Sequence, residues 1–274
     1  MYCCNFAAVL KNLRNIVVVG LLILVSSSCS KYQKLLKSDD YEMKYQKAME
    51  FYDKGDYYRA LNLFDMVIPF YRGEKESEEI AYRYAYAYYK QADYILANYY
   101  FGRFTQTFPR SEKAEECAYM KAYCKYLEAP DYNLDQTNSI EAISELQLFA
   151  DKYPESERLA GVNKLIEELH GKLQRKYFEV GELYMHMQLY KSVIQSFDVL
   201  LNDYPDTQYK EKANYYKIKA YYEYANKSVD DKKEERYKEA FSLAENFLLN
   251  FPEGEYVASV KKLNTRIKEK LNLN

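Results

Sequence analysis

A pattern of small and aromatic residues recurs along this chain and limits what it can fold into more than any other feature. The clearest copy begins at Gly181; an aromatic residue, Tyr184, follows three positions later, and Val193 stands twelve positions after the glycine. Phe197 lies four positions beyond Val193, and Pro205 closes the unit. Small residues let two helices touch closely, and the aromatic residues fill the space next to the following unit. The pattern therefore predicts a pair of antiparallel helices.

The same pattern occurs in four other places, which makes it a repeat. The paired small positions of these copies are Ala48 and Ala60, Ala85 and Ala97, Ala122 and Ala142, and Ala220 and Ala240. Two of the copies keep the spacing of twelve residues, whereas the other two have a spacing of twenty. We expect the eight extra residues of each long copy to lie in loops, at about 130–138 and 226–235.

This spacing is typical of tetratricopeptide repeats, in which helix pairs stack side by side. The fold class that we predict is all-α: a right-handed α-solenoid of about five tetratricopeptide helix pairs with a C-terminal capping helix. We expect the capping helix at about 255–271 and one long helix at about 156–187, where only glycines interrupt the helical pattern. Ser111, Ser156 and Thr207 each follow two residues after a closing proline. We expect their hydroxyls to N-cap the next helices.

The composition excludes several classes of protein. With 8 Gly and 6 Pro in 274 residues, the chain has too few turn-forming residues for a fold built from hairpins. Lys and Arg total 39 against 41 Asp and Glu, so the cationic excess that nucleic-acid binding requires is missing. The 2 His are not spaced as metal ligands, and the sequence contains no glycine-rich phosphate loop. We therefore expect no enzyme activity, no cofactor, no metal site and no nucleic-acid partner.

The N-terminus has the features of a secretion signal. Lys11 and Arg14 are its only charged residues, and the apolar run that follows at 16–25 is too short to span a bilayer. Three serines then precede Cys29, as in bacterial lipoprotein signals, where the cysteine is lipidated and becomes the first mature residue. We predict lipidation at Cys29. The alternative is an ordinary secretory signal that leaves Cys29 as a free thiol.

These features predict a chain of four parts. Residues 1–28 form a lipoprotein signal peptide, and 29–40 form a lipidated tether. An N-terminal tetratricopeptide half with three repeats follows at 41–155. A C-terminal half with two repeats and the capping helix occupies 156–274.

Tyrosine is unusually abundant, with 33 Tyr and no Trp. On the first helix of each repeat, the positions three before, one after and four after the small residue share the side that faces the inner groove of a right-handed stack. In the first three repeats these positions hold one methionine and the eight tyrosines that we predict to bind peptide: Tyr45, Tyr52, Tyr82, Tyr86, Tyr89, Tyr119, Tyr123 and Tyr126. Rigid rings with a polar end suit an extended, aromatic-ended peptide. The alternative is that the rings only pack between neighbouring helices.

The signal at Cys29, the five repeats and the mature length together resemble the BamD family, the helical lipoproteins of the machinery that assembles outer-membrane β-barrels. The most telling segment is 177–205, which ends in the closure Tyr204-Pro205-Asp206-Thr207. The resemblance implies a non-catalytic scaffold on the periplasmic face of the outer membrane, held there by its lipid anchor. It also implies a role in recognising and inserting unfolded barrel proteins.

The resemblance implies two protein partners as well. In that family the N-terminal half is associated with unfolded outer-membrane proteins, and the C-terminal half docks onto the barrel-forming central subunit. The tyrosine-rich first three repeats lie where a substrate would be recognised. Repeats four and five lose much of the tyrosine stripe and gain Glu182 and Lys217 on the same side, which favours a docking role.

One alternative function stays open. The chain could be a tetratricopeptide scaffold lipoprotein of another envelope system, one that coordinates cell division or peptidoglycan. Such scaffolds commonly carry fewer repeats behind a coiled-coil segment, and no heptad run is present in this sequence.

Overall fold

The computed structural model of the protein describes residues 31–273, and all regular secondary structure in that range is α-helical. A short helix, α1, covers 31–37. The other helices are α2 (Tyr41–Asp53), α3 (Tyr57–Val67), α4 (Ser77–Lys90), α5 (Tyr94–Thr107), α6 (Ala114–Leu127), α7 (Thr137–Lys152), α8 (Leu159–His186), α9 (Tyr190–Asp203), α10 (Lys210–Asn226), α11 (Asp230–Asn250) and α12 (Val257–Leu271). None of these helices combines the length and the apolar character that crossing a membrane requires. The all-α prediction is confirmed.

The small residues of the repeat lie in buried helix contacts, as the pattern predicts. In the pairs α2–α3, α4–α5, α8–α9 and α10–α11 they are Ala48 and Ala60, Ala85 and Ala97, Gly181 and Val193, and Ala220 and Ala240. Gly181 shows why size matters here, because a Cβ at this position would lie 2.5–2.9 Å from three atoms of the Phe197 ring. Carbon atoms in ordinary contact are about 3.5–4.0 Å apart. The repeat therefore encodes helix pairs in close contact.

Aspartates N-cap three helices of the first two repeats. The Asp40, Asp56 and Asp93 carboxylates accept hydrogen bonds from backbone N–H groups in the first turns of α2, α3 and α5, at 2.8, 3.2 and 3.1 Å. Each cap satisfies a backbone donor that has no partner within the helix. Each of these three helices thus begins at a position that the sequence specifies locally.

The predicted N-caps at Ser111, Ser156 and Thr207 are wrong. Their hydroxyls accept the backbone N–H two residues further on, at 3.0, 3.1 and 3.3 Å, and α6, α8 and α10 begin only after that turn. The hydroxyls therefore stabilise the turn that follows the closing proline, in the manner of a serine or threonine turn, and do not cap the helix.

The chain divides after Glu128 into two compact units. Unit 1 contains α1–α6, and unit 2 contains α7–α12. Within unit 1, consecutive helices from α2 to α6 pack together, and α1 adds Tyr32, Leu35 and Leu36 to the core formed by α2, α3 and α4. Within unit 2, each helix packs against the next. Helices α6 and α7, predicted as one repeat, thus belong to different units.

The first insert is a loop, as predicted, and it is held on helix α8 of unit 2. Between α6 and α7 the chain is non-helical over 128–136. Lys172 donates to two backbone carbonyls of this loop at 3.2 and 3.4 Å, and Lys176 donates to a third at 2.5 Å. The Arg175 guanidinium lies 3.8 Å from the centre of the Tyr132 ring. Three cations on one face of α8 therefore hold the insert in place.

The second insert is not the loop that we predicted at 226–235. Helix α10 continues through Asn226 and α11 begins at Asp230, so only three residues separate them. Acidic residues occupy the first turn of α11, where the helix dipole favours negative charge, and Lys233 pairs with Asp230 at 2.7 Å. The extra residues therefore lengthen α11. The long helix α8 and the capping helix α12 both form where they were predicted.

Candidate functional site

The eight tyrosines predicted to bind peptide lie on α2, α4 and α6 of unit 1, and all of them are partly buried. They are Tyr45 and Tyr52 on α2, Tyr82, Tyr86 and Tyr89 on α4, and Tyr119, Tyr123 and Tyr126 on α6. We call this set the tyrosine face. On each helix its members are three, four or seven residues apart, a spacing that keeps them on one side. None is fully buried, so part of each side chain is accessible to solvent.

On α4 the rings rest on aromatic residues of α5. The centre of the Tyr82 ring lies 4.8 Å from that of Tyr86, which in turn lies 6.1 Å from that of Tyr89. Beneath them, Phe101 makes an edge contact with Tyr86 at 4.9 Å and Phe104 makes one with Tyr82 at 6.1 Å. Because Phe101 and Phe104 are buried, they hold the outer rings in defined positions.

On α6 the three tyrosines form a ladder of nearly parallel rings. The ring centres of Tyr119 and Tyr123 are 5.7 Å apart with an interplanar angle of 12°, and those of Tyr123 and Tyr126 are 5.8 Å apart at 17°. Parallel offset rings of this kind present a continuous apolar edge along the helix.

On α2 the two tyrosines pack against neighbouring aromatic residues. Tyr45 packs against Tyr71 at 5.0 Å, and Tyr52 contacts Tyr57 at 5.5 Å. The Arg83 guanidinium lies 5.0 Å from the centre of the Tyr52 ring. These contacts join the α2 part of the face to α3, to α4 and to the connection between them.

Several hydroxyl groups of the face have a raised pKa and remain protonated at neutral pH. Burial raises the pKa of Tyr52 and of Tyr82 to about 12. Burial, followed by the hydrogen bond that Tyr86 donates to the Glu116 carboxylate, raises the pKa of Tyr86 as well. Glu116 lies on α6, so this hydrogen bond links the α4 and α6 parts of the face. The α4 part of the face therefore presents uncharged rings, one of which is fixed to α6 by its hydroxyl group.

The tyrosine face offers ring surfaces and hydroxyl groups, an arrangement that suits binding. Within residues 31–273, no group of three or more His, Cys, Asp or Glu side chains is placed to hold a metal ion. The glutamate and lysine proposed for docking in repeats four and five are engaged within unit 2: Glu182 pairs with Lys212, and Lys217 pairs with Asp198. Cys29, the predicted lipidation site, lies outside the described residues.

A second aromatic cluster on α4 was not singled out from the sequence. Tyr84 and Tyr88 make edge contacts with each other at 5.1 Å, and Tyr100 of α5 lies 4.6 and 5.2 Å from them. Tyr84 is buried and donates a hydrogen bond to Asp65. The spacing of Tyr84 and Tyr88 could have indicated a second face, but their partner Tyr100 comes from another helix.

Two tetratricopeptide repeat proteins are among the solved structures that match this chain, and a family model also matches it. A crystal structure of the P58(IPK) TPR domain is 14% identical, with a TM-score of 0.40; the match covers 87% of this chain and 58% of that one. A tetratricopeptide repeat protein from Parabacteroides merdae is 14% identical, with a TM-score of 0.33; the match covers 86% of this chain and 75% of that one. The chain thus spans little more than half of the first structure. No curated protein matches the sequence.

The family model called YfiO, described as an outer membrane lipoprotein, matches residues 37–236. The match covers well over half of the chain and includes helices of both compact units. The resemblance to BamD proteins, which rested on the repeats and on the position of Cys29, is confirmed. The chain therefore belongs to the YfiO (BamD) family of outer membrane lipoproteins.

Proposed function

We propose that this protein is a non-catalytic scaffold of the machinery that assembles β-barrel proteins in the outer membrane. It helps to recognise unfolded barrel proteins and to pass them to the barrel-forming central subunit. A lipid on Cys29 holds it at the periplasmic face of the outer membrane. Membership of an outer membrane lipoprotein family supports the location, and the tyrosine face supports the recognition of unfolded chains.

The tyrosine face is the single observation that carries this proposal. An unfolded barrel protein exposes extended backbone with unpaired carbonyl groups and alternating apolar side chains. Protonated hydroxyl groups such as those of Tyr52 and Tyr89 can donate hydrogen bonds to such carbonyls, while the rings contact apolar side chains without requiring one sequence. The parallel rings of Tyr119, Tyr123 and Tyr126 offer the longest continuous contact for an extended segment.

The recognition step can be tested by removing the rings or only their hydroxyls. The first variant changes Tyr82, Tyr86 and Tyr89 to Ala, and the second changes the same three residues to Phe. The control variant changes Tyr58 and Tyr99 to Ala; these side chains are 70% and 53% exposed on the second helices α3 and α5. The probe is a synthetic peptide copying the last strand of an outer-membrane barrel protein and ending in an aromatic residue.

Circular dichroism first establishes that each variant is folded. We expect the Ala variant to lose most peptide binding, the Phe variant to lose part of it, and the control variant to bind like the native chain. If a folded Ala variant binds the peptide as well as the native chain does, the rings have only a packing role and the proposal fails.

The assembly role and the anchor are tested separately. A C-terminally tagged chain is extracted from membranes in mild detergent, and its partners are identified by mass spectrometry. We expect a large outer-membrane barrel with repeated periplasmic domains; division or peptidoglycan proteins without that barrel would support the alternative scaffold function. Labelled palmitate should enter the native chain and not a Cys29→Ala variant.

A further inference from the structure

Unit 1 contains an apolar cavity of about 400 Å³ between α3, α4 and α5. On α4 it is lined by Ile80 and Tyr84. Tyr84 lies two residues from both Tyr82 and Tyr86, which places it about 200° around the helix from them. The cavity therefore opens on the side of α4 opposite the tyrosine face, and a ligand in it would leave that face free.

The inner walls of the cavity are mainly apolar. Ile80 and Phe104 are buried and form its floor together with Tyr84 and Tyr100. Asp65 is the only acidic residue in the lining, and its carboxylate already accepts a hydrogen bond from the Tyr84 hydroxyl. The interior therefore accommodates an apolar or aromatic side chain and offers no free charge deep inside.

Two arginines stand at the edge of this cavity, on different elements. Arg72 belongs to the connection between α3 and α4, and Arg103 belongs to α5. Both are exposed, and neither forms an ion pair with any residue in the part of the chain that the structure describes. Two other arginines of unit 1 differ in this respect, because Arg59 pairs with Asp56 and Arg83 with Asp53 and Glu79.

We propose that this cavity binds an internal peptide segment of a partner protein in which acidic residues flank an aromatic or large aliphatic residue. The volume suits one or two side chains, at the lower end of the range of ligand cavities. The apolar side chain would enter the cavity, and the flanking carboxylates would pair with Arg72 and Arg103. A chain end supplies a single terminal carboxylate, whereas cations on two elements match an acidic residue on each side of the apolar one.

The probe is the peptide Gly-Ser-Asp-Phe-Glu-Ser-Gly, blocked at both ends and fluorescently labelled, and its binding to the full chain is measured by anisotropy. Three related peptides test its parts. The first replaces the acids with Asn and Gln, the second replaces Phe with Ala, and the third lacks acids but ends in Phe with a free carboxylate. We expect each change to weaken binding, the acid-to-amide change by about tenfold for two partly exposed charge pairs.

Two variants and one control place the binding in the cavity. The variant Arg72→Gln with Arg103→Gln should bind the acidic peptide about tenfold more weakly and the amide peptide without change. Thr107→Trp, which adds a large side chain to the cavity lining, should abolish binding of both. The control, Arg110→Gln with Arg266→Gln, removes the same charge at exposed positions outside the lining and should bind like the native chain.

Several results would overturn the proposal. These are no binding of the acidic peptide to the native chain, equal losses in the arginine variant and in the control, or unchanged binding after Thr107→Trp. Tighter binding of the peptide with the free terminal carboxylate would also overturn it, since a chain end would then be the better ligand. The inference does not rest on the tyrosine face, so a variant with Tyr82, Tyr86 and Tyr89 changed to Phe should retain this binding.

Discussion

The contact between Gly181 and Phe197 allows a sharp test of how the repeat holds two helices together. Gly181 lies on α8 and Phe197 on α9, and the phenylalanine is fully buried. A Cβ at position 181 would approach three ring atoms to 2.5–2.9 Å. Since neighbouring side chains surround the ring, it has little room to move, and the helices would have to separate.

The expected effect of Gly181→Ala combines two opposing terms. Adding a methyl group to a well-packed core costs about 1–3 kcal/mol, and the close approach to a buried ring favours the upper end. Replacing a mid-helix glycine by alanine contributes about 1 kcal/mol in the other direction, because alanine loses less conformational entropy. We therefore expect a net loss of about 2 kcal/mol in the free energy of unfolding.

Gly171 provides a matched control in the same helix. A Cβ at Gly171 would meet no atom within 4 Å outside its own helix, so Gly171→Ala keeps the helix-propensity term and removes the clash. We expect this variant to gain about 0.5–1 kcal/mol, which raises Tm by roughly 1–4 °C in a protein of this size. The difference between the two variants isolates the cost of the clash, about 3 kcal/mol.

Urea unfolding followed by far-ultraviolet circular dichroism measures both variants. Both residues belong to unit 2, so they report on the same packed helices. If Gly181→Ala is as stable as Gly171→Ala, the small residue of the repeat is not required by a close contact, and the reasoning fails. A second change, Phe197→Leu, should recover part of the loss in the Gly181→Ala background, because a smaller side chain relieves the clash.

Three further predictions concern single groups. Burial raises the pKa of Cys117 and Cys124 to about 12, so a thiol reagent at pH 8 should modify neither in the folded chain and both in urea. Burial lowers the pKa of His170, so the unfolded chain binds a proton more readily than the folded chain does. The free energy of unfolding should therefore fall as the pH drops below the unfolded pKa of about 6.5. In urea titrations at several pH values, this fall should be less steep for His170→Gln. Asp93→Ala should cost about 1 kcal/mol through loss of the α5 N-cap, whereas Asp93→Asn should cost only a few tenths, as measured by the same unfolding assay.

The predicted tyrosine positions follow from local geometry, and for that reason the sequence was sufficient to place them on one side of each helix. At 100° per residue, positions such as 82, 86 and 89 must share a side once the segment is helical. How deeply each ring is buried was not accessible in this way. The contacts that decide it come from elsewhere in the fold, such as Phe101 of α5 beneath Tyr86 and Tyr71 of the α3–α4 connection against Tyr45.

The two inserts also show a limit of prediction from local sequence. Both have eight extra residues between their small positions, and both were predicted as loops. The insert at 128–136 is a loop because lysines of α8, more than thirty residues away, hold its carbonyl groups. The other insert continues as helix, with Lys233 and Asp230 paired along the first turn of α11. Spacing in the sequence reports the number of extra residues and leaves their conformation open.

The sequence by itself determined that this chain forms paired helices, which residues lie in their contacts, and to which family it belongs. These properties depend on spacing within one helix pair, and short-range periodicity carries that information. Only the tertiary structure decided that the packed units divide after Glu128, that Glu182 and Lys217 are paired within unit 2, and that Arg72 and Arg103 share one cavity. Each of these depends on which distant side chains meet, because burial and charge pairing are set by the whole packed arrangement and not by position along the chain.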